Sequence, residues 1–145
     1  RSNGSATGGG GLFARSSTIR TGPGDTPVVP SSNEISANTF GIQSLSNSTV
    51  DLRAGASITA SRFTGVVVDT GSRLRTDGST ISTNGAHGIF AQRSSGVELV
   101  GGANVVSGNT AFGLYCNDGE TSYSGNTAGI TGNTAGNVSP TCTGH

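Results

Sequence analysis

The fold of this chain is decided by residues 80–109, TISTNGAHGIFAQRSSGVELVGGANVVSGN. Apolar residues recur there at Ile81, Ile89 and Leu99, and the pattern begins again at Val106. A turn containing Asn and corners rich in Gly and Ser separate these short apolar runs, which lack the 3.6-residue period of a helix. Three short strands joined by three bends predict one coil of a parallel β-solenoid.

The same pattern recurs along the chain every 23 to 25 residues. Its columns are Ile35, Ile58, Ile81, Val106 and Ile130 in the first strand; Asn38, Ser61, Asn84, Asn109 and Asn133 in the turn; Gly41, Gly65, Gly88 and Gly113 before the second strand; Ile42, Val66, Ile89 and Leu114 within it; and Leu52, Leu74, Leu99 and Tyr123 in the third strand. Asn is expected to tolerate a left-handed backbone and to bond to its equivalents, and Gly to fit where a Cβ would clash. The sequence predicts an all-β, single-domain parallel β-helix of about five coils, roughly 22–25 residues per coil, with three short parallel sheets.

The repeat also sets the expected boundaries. Residues 1–10, RSNGSATGGG, carry no repeat signal and predict a flexible or capping N-terminal tail. Residues 11–142 are predicted to form the solenoid, and residues 143–145 a C-terminal tail. Residues 21–33 form a Pro-rich insertion, which we expect to leave the solenoid as a loop because proline cannot donate ladder hydrogen bonds.

Composition limits the function classes. The eight basic and eight acidic residues give zero net charge, which argues against nucleic acid as a partner, and no apolar stretch is long enough to insert into a membrane. The absence of Met predicts a processed product or a fragment. No metal-ligand spacing or cofactor motif occurs, so neither a metal nor a cofactor is expected.

The two cysteines, Cys116 and Cys142, lie one coil apart near the end of the chain. Together with the absence of Lys and the long polar turns, they predict an extracellular or cell-surface protein in which a disulfide persists. A Cys116–Cys142 bond would fasten the last coil. The alternative is two buried free thiols.

The repeats ISTN (residues 81–84) with GIFA (88–91), and VSGN (106–109) with GLYC (113–116), resemble the right-handed parallel β-helix repeats of the pectate-lyase-like superfamily. The resemblance implies a right-handed coil over about residues 11–142. It does not imply one activity, because that superfamily includes lyases, hydrolases, esterases, epimerases, viral tailspikes and non-enzymatic surface proteins. Its enzymes usually build their site from several carboxylates with Arg or Lys on one outer face.

One candidate ligand-binding set is an outward column of Arg20, Arg53 and Arg75 in the third strand. Stacked guanidiniums could bind an acidic polysaccharide, or they could fan into water or pair with the neighbouring carboxylates Asp51 and Glu98. Those two carboxylates are expected in one column with Arg73 between them, which favours a charge ladder over a catalytic pair. No catalytic residue is predicted.

A second candidate is the outward column of the second strand, in which Phe13, Val67, Phe90 and Tyr115 accompany Gln43. These apolar side chains can be scattered surface residues, a protein interface or a platform for sugar rings. His87, just before the repeat glycine, is expected to be a corner residue stacked on its neighbours.

These observations favour a non-enzymatic extracellular or surface solenoid that acts through self-assembly, end-to-end or lateral, or through adhesion, as a homo-oligomer or polymer. No two carboxylates share an outward column in adjacent coils. The alternative is a carbohydrate-active or carbohydrate-binding β-helix module, lyase-like, hydrolase-like or tailspike-like, and possibly a fragment of a longer protein.

Overall fold

The computed structural model describes residues 11–21 and 33–145. Its strands, in chain order, are β1 (Leu12–Arg15), β2 (Thr18–Thr21), β3 (Asn33–Ser36), β4 (Ile42–Leu45), β5 (Thr49–Leu52), β6 (Ala56–Thr59), β7 (Val66–Val68), β8 (Arg73–Asp77), β9 (Thr80–Ser82), β10 (Ile89–Ala91), β11 (Gly96–Val100), β12 (Val105–Ser107), β13 (Phe112–Cys116), β14 (Ser122–Gly125), β15 (Ile130–Thr131), β16 (Gly136–Val138) and β17 (Thr143–Gly144).

The strands form three parallel sheets, and each strand pairs with its equivalents one coil away. The first sheet has the order β3-β6-β9-β12-β15, the second β1-β4-β7-β10-β13-β16 and the third β2-β5-β8-β11-β14-β17. This arrangement confirms the predicted solenoid of about five coils. The described residues include no helix that is long and apolar enough to cross a membrane.

Stacked aliphatic side chains fill the interior. The first-strand column is in register along its whole length and buried throughout: Ile35, Ile58, Ile81, Val106 and Ile130. The second strand adds Ile42, Val66, Ile89 and Leu114, which are fully buried. Because parallel strands lie about 4.8 Å apart, each of these side chains rests on its equivalent in the next coil, and the core is a set of ladders.

The repeat glycines are required by close approach between coils. A Cβ at Gly88 would lie 2.7 Å from Cγ1 of Val106 and 2.8 Å from Nδ2 of Asn109, both in the following coil. Equivalent clashes occur in the same column at Gly41, Gly65 and Gly113. The expectation that a Cβ would clash at this corner is therefore confirmed, and the atoms that fill the space belong to the next first strand and its turn.

The turn column differs from the expectation in the position of its left-handed residue. The left-handed backbone lies one residue before each turn residue, at Ala37, Ala60, Thr83, Gly108 and Gly132. The Asn side chains instead point inward and hydrogen-bond between coils. Oδ1 of Asn109 accepts from the backbone N of Asn84 at 3.0 Å and from its Nδ2 at 2.9 Å. The expectation of a left-handed Asn is wrong, because a buried amide that serves two coils must sit on the inner side of the bend.

The register of the third sheet also differs from the expectation. Val50, not Leu52, pairs with Leu74, and Leu74 pairs with Val97 rather than Leu99. Leu52 and Leu99 instead flank Thr76. The third strands have two inward positions, so a shift of two residues keeps the same side chains buried. The hydrophobic pattern therefore cannot distinguish the two registers.

The expected boundaries are only partly within the described residues. The tail at residues 1–10 and most of the insertion at 21–33 lie outside them, although Thr21 ends β2 and Asn33 begins β3. At the other end, the predicted tail at residues 143–145 is wrong. Thr143 and Gly144 form β17, which pairs with Ser122 and Tyr123 of β14, so the third sheet takes in one more strand.

The predicted disulfide is present between Cys116 and Cys142, whose Cα atoms are 4.9 Å apart. Cys116 is fully buried at the end of β13, and Cys142 packs against the core. The bond closes a loop with a sequence separation of 26 residues and joins the last coil to the one before it. The bond thus adds the buried Cys116 and the partly buried Cys142 to the interior at the last coil.

Replacing both Cys116 and Cys142 with Ala should lower the free energy of unfolding by about 2–4 kcal/mol, because the unfolded chain regains the entropy of the open loop. Chemical denaturation of the oxidised protein and the double variant measures this difference. Reductant should destabilise the wild type and leave the variant unchanged. Equal midpoints for the two oxidised proteins would contradict a structural role for the bond.

Candidate functional site

The three candidate arginines converge on one carboxylate. Asp51, which is 7% exposed, lies on β5 between Arg20 of β2 and Arg75 of β8. Its Oδ2 is 3.2 Å from Nε of Arg20, and its Oδ1 is 3.1 Å from an Nη atom of Arg75. Nε of Arg53, two residues along the same chain segment, is 3.0 Å from Oδ2. The outward face of the third sheet thus carries a charge cluster around Asp51.

This geometry corrects the expected column. Arg20, Asp51, Arg75 and Glu98 follow one another in register, so the signs alternate along the face. Arg53 lies outside this column, and Arg75 rather than Arg73 separates Asp51 from Glu98. The cause is the two-residue shift of the third sheet. The guanidiniums pair with the neighbouring carboxylate of Asp51, which is one of the alternatives left open by the sequence.

The charge cluster does not have the properties of a catalytic acid. Burial by itself would raise the pKa of Asp51, but hydrogen bonds and charge attraction from Arg53 and Arg75 outweigh it and hold the pKa below its ordinary value. Asp51 is therefore ionised at neutral pH with both oxygens occupied. Among the described residues no group of three His, Cys, Asp or Glu side chains could hold a metal ion.

A second charged group, which sequence reasoning missed, lies at the corner between the second and third sheets. An Nη atom of Arg93 is 2.9 Å from Oδ2 of Asp69. Asp118 accepts hydrogen bonds from the backbone N of Arg93 and from Thr121, and these bonds lower its pKa. Arg93 has a left-handed backbone. Asp69 and Asp118 therefore stabilise a bend between coils. The ion pair of Asp69 with Arg93 could have been predicted from the sequence, because the two residues are one repeat apart.

The apolar column of the second sheet is in the predicted register. Phe13, Gln43, Val67, Phe90 and Tyr115 are successive partners on β1, β4, β7, β10 and β13. Phe13 is 59% exposed, and Val67, Phe90 and Tyr115 are half-buried. The column contains no charged residue.

Further rings border this column where each second strand begins. His87 and Phe112 occupy equivalent positions on successive coils, and the ring centroids of Phe40 and Phe63 are 5.5 Å apart. The guanidinium carbon of Arg62 lies 5.3 Å from the Phe63 ring centroid, and Phe63 is 43% exposed. We call the outward column and these bordering rings together the aromatic face: Phe13, Phe40, Phe63, Val67, His87, Phe90, Phe112 and Tyr115.

Four rings of the aromatic face form a continuous cluster. His87 stacks on Tyr115 with centroids 4.6 Å apart, and Phe90 stacks on Tyr115 at 5.6 Å. Phe112 contacts the rings of His87 and Tyr115 at 6.2 and 5.7 Å. Each ring therefore packs against at least one other ring of the cluster, across two successive coils.

The expectation for His87, a corner residue stacked on its neighbours, agrees with its position. The backbone N of Phe112 donates a hydrogen bond of 3.3 Å to its Nδ1. Burial lowers the pKa of the imidazole below its ordinary value. The sequence pattern alone does not predict the contact of His87 with Phe90 and Tyr115, because that contact depends on side-chain direction.

Comparisons of this chain with protein-family models, curated proteins and solved structures give no match. The parallel β-solenoid therefore rests on the strand pairing and on the buried ladders themselves. The relation to the pectate-lyase-like superfamily stays an expectation drawn from the repeats.

Proposed function

We propose that this protein is a non-enzymatic extracellular solenoid that assembles laterally with copies of itself through the aromatic face. The observation that carries the proposal is the run of apolar side chains on the outward side of a parallel sheet, a side that normally faces solvent. The Cys116–Cys142 disulfide supports an oxidising compartment. The charge cluster around Asp51, with its satisfied carboxylate, supports a structural role for the other candidate face.

A second copy of the chain is the partner that the charges favour. The net charge is zero, so two copies do not repel each other as whole molecules. The column from Phe13 to Tyr115 has no charged side chain to desolvate. Arg62, at the border of the face, is already placed against the ring of Phe63. Two such faces can meet as packed sheets do, about 10 Å apart.

The energies suggest an association of moderate strength. An aromatic side chain buries about 150–250 Å² when fully covered, which at about 25 cal/mol per Å² is worth several kcal/mol. Phe90 and Tyr115 are already half-buried in the monomer, so association gains only the area that is still exposed. Loss of translational and rotational freedom opposes this by roughly 4–15 kcal/mol. One exposed ring is insufficient, and several rings in register are required. The aromatic face supplies them in successive coils.

Replacing Phe90 and Tyr115 together with Ser should weaken self-association at least tenfold, because the two lost rings together remove more than about 1.4 kcal/mol from the interface. The monomer should stay folded, since both side chains point away from the aliphatic ladders. Sedimentation velocity over a concentration series measures the association constant, and circular dichroism checks the fold.

Val105→Ser is the matched control. Val105 is also an exposed apolar residue, 43% accessible, but it lies on the first sheet, away from the aromatic face. It should leave the association constant unchanged. A wild-type protein that stays monomeric at high concentration would overturn the proposal, and so would a double variant that associates as strongly as the wild type.

The second candidate function is binding of an acidic polysaccharide by the outward face of the third sheet. It is supported by Arg20, whose side chain is 52% exposed and which shares Asp51 with two other guanidiniums. Its accessible N–H groups suit a carboxylate. A screen of acidic and neutral polysaccharides for binding and for cleavage products separates the candidates, because reproducible turnover would contradict a non-enzymatic role.

A further inference from the structure

His87 is the histidine at the centre of the aromatic face. It is half-buried between the coils that contribute Phe90 and Tyr115, with ring centroids 5.7 and 4.6 Å away. Its position just before Gly88 is fixed by the backbone, since its carbonyl accepts a hydrogen bond from Gly65. Movement of the ring away from the cluster would break its contacts with Tyr115 and Phe112.

The hydrogen bond from the Phe112 backbone defines the protonation state of this ring. The amide N–H donates to Nδ1 at 3.3 Å, which requires a lone pair on Nδ1 and places the imidazole proton on Nε2. Protonation puts a second proton on Nδ1. Two N–H donors then oppose each other, and the Phe112 amide loses its acceptor.

The elements packed against His87 contain no carboxylate that could compensate a positive charge. β7, β10 and β13 contribute Tyr115 as their only ionisable group apart from the disulfide-bonded Cys116, and the adjoining corners, residues 60–65 and 108–111, contribute only Arg62. The guanidinium of Arg62 lies over Phe63. Asp69 and Asp118 follow β7 and β13 at the opposite ends of those strands. An imidazolium gains attraction from the ring faces, but it loses hydration and its hydrogen bond.

We propose that His87 makes the aromatic face sensitive to pH: the neutral ring closes the cluster with Phe90, Phe112 and Tyr115, and protonation opens it. The inference rests on the proposed self-assembly through this face. Opening the cluster disorders the surface that a second copy covers, so self-association weakens as the pH falls.

The stability of the fold depends on pH in the same direction, by linkage. Burial lowers the pKa of His87 in the folded protein, so the folded state binds its proton less readily than the unfolded chain does. The stability contributed by the neutral ring is complete above the unfolded pKa of about 6.5. It is lost as the pH falls from that value through the folded pKa.

The chain is suited to a clean test because it contains only two histidines, His87 and His145. The first arm follows the monomer by NMR, at a concentration below association, from about pH 7.5 to about pH 5. We expect the His87 ring to titrate with a midpoint below the ordinary histidine value of about 6.5. The amide resonance of Phe112 should move with the midpoint of His87, and its hydrogen exchange should accelerate. A Phe112 amide that does not follow His87 would overturn the inference.

The second arm measures the association constant by sedimentation over the same pH range. The wild type and the control His145→Gln should associate several-fold more weakly at the acidic end. His87→Phe, which keeps a ring but cannot titrate, should show no such dependence, and His87→Gln serves if the Phe variant does not fold. Retention of the wild-type dependence in a folded His87 variant would overturn the switch. Absence of association at every pH would instead overturn the proposed function, and the NMR arm would still decide the behaviour of the cluster.

Discussion

Replacing Ile81 with Asp should leave the chain unfolded. Ile81 is fully buried at the middle of the first sheet, between Ile58 and Val106. The substitution removes an aliphatic side chain, whose loss alone typically costs about 2–5 kcal/mol, and it places an unpaired carboxylate among hydrocarbon, which costs several more. A domain of this size has a stability of about 5–15 kcal/mol, so little or none remains.

Ser82→Asp is the control for this prediction. Ser82 is the next residue on β9 and points outward, between Thr59 and Ser107. Successive residues of a strand face opposite sides of the sheet, so the same carboxylate there stays hydrated. Circular dichroism and thermal melting should show a folded Ser82 variant and an unfolded Ile81 variant. The reverse result would mean that the register of the first sheet is displaced by one residue.

Replacing Asn109 with Leu should lower the free energy of unfolding by on the order of 4 kcal/mol, although the side chains are similar in size. Asn109 is fully buried, and its amide connects three coils. Oδ1 accepts from two nitrogens of Asn84, and Nδ2 donates to Oδ1 of Asn133 at 2.8 Å. Nδ2 also donates to the carbonyl of Ile81 at 3.3 Å.

The loss arises because Leu leaves these buried partners unsatisfied, and each unsatisfied donor or acceptor costs about 1–3 kcal/mol. Asn117→Leu is the matched control, since Asn117 is exposed and its amide bonds only to the side chain of Gln92 among the described residues. Urea denaturation compares the two. An Asn109 variant as stable as the Asn117 variant would show that the buried amide ladder contributes little.

Both predictions concern ladders that hold the aromatic face in place. The turn of Asn109 leads directly into β13, which carries Phe112 and Tyr115, and the turn after β9 leads into His87 and Phe90. The position of the aromatic face therefore depends on the buried ladders of the repeat. Variants of Phe90, Tyr115 and His87 change association or its pH dependence, whereas Ile81 and Asn109 variants change the fold.

The sequence by itself determined the architecture, the coil length, the inward columns of the first and second sheets and the cysteine pair. These follow from local rules, because side chains alternate along a strand and each coil repeats the same positions about 4.8 Å away. The outward column from Phe13 to Tyr115 follows from the same alternation and the same repeat. The repeat glycines were also found by their spacing, although the atoms that exclude a Cβ there belong to the next coil.

Only the tertiary structure decided the register of the third sheet and the contacts of polar side chains. Val50 and Leu52 are both buried, so a shift of two residues preserves the hydrophobic pattern, and only pairing with β8 selects one register. That choice places Asp51 among Arg20, Arg53 and Arg75 instead of leaving three guanidiniums in a column. The contact of His87 with Tyr115 depends likewise on the direction of two rings in different coils. The spacing of residues along the sequence does not determine that direction.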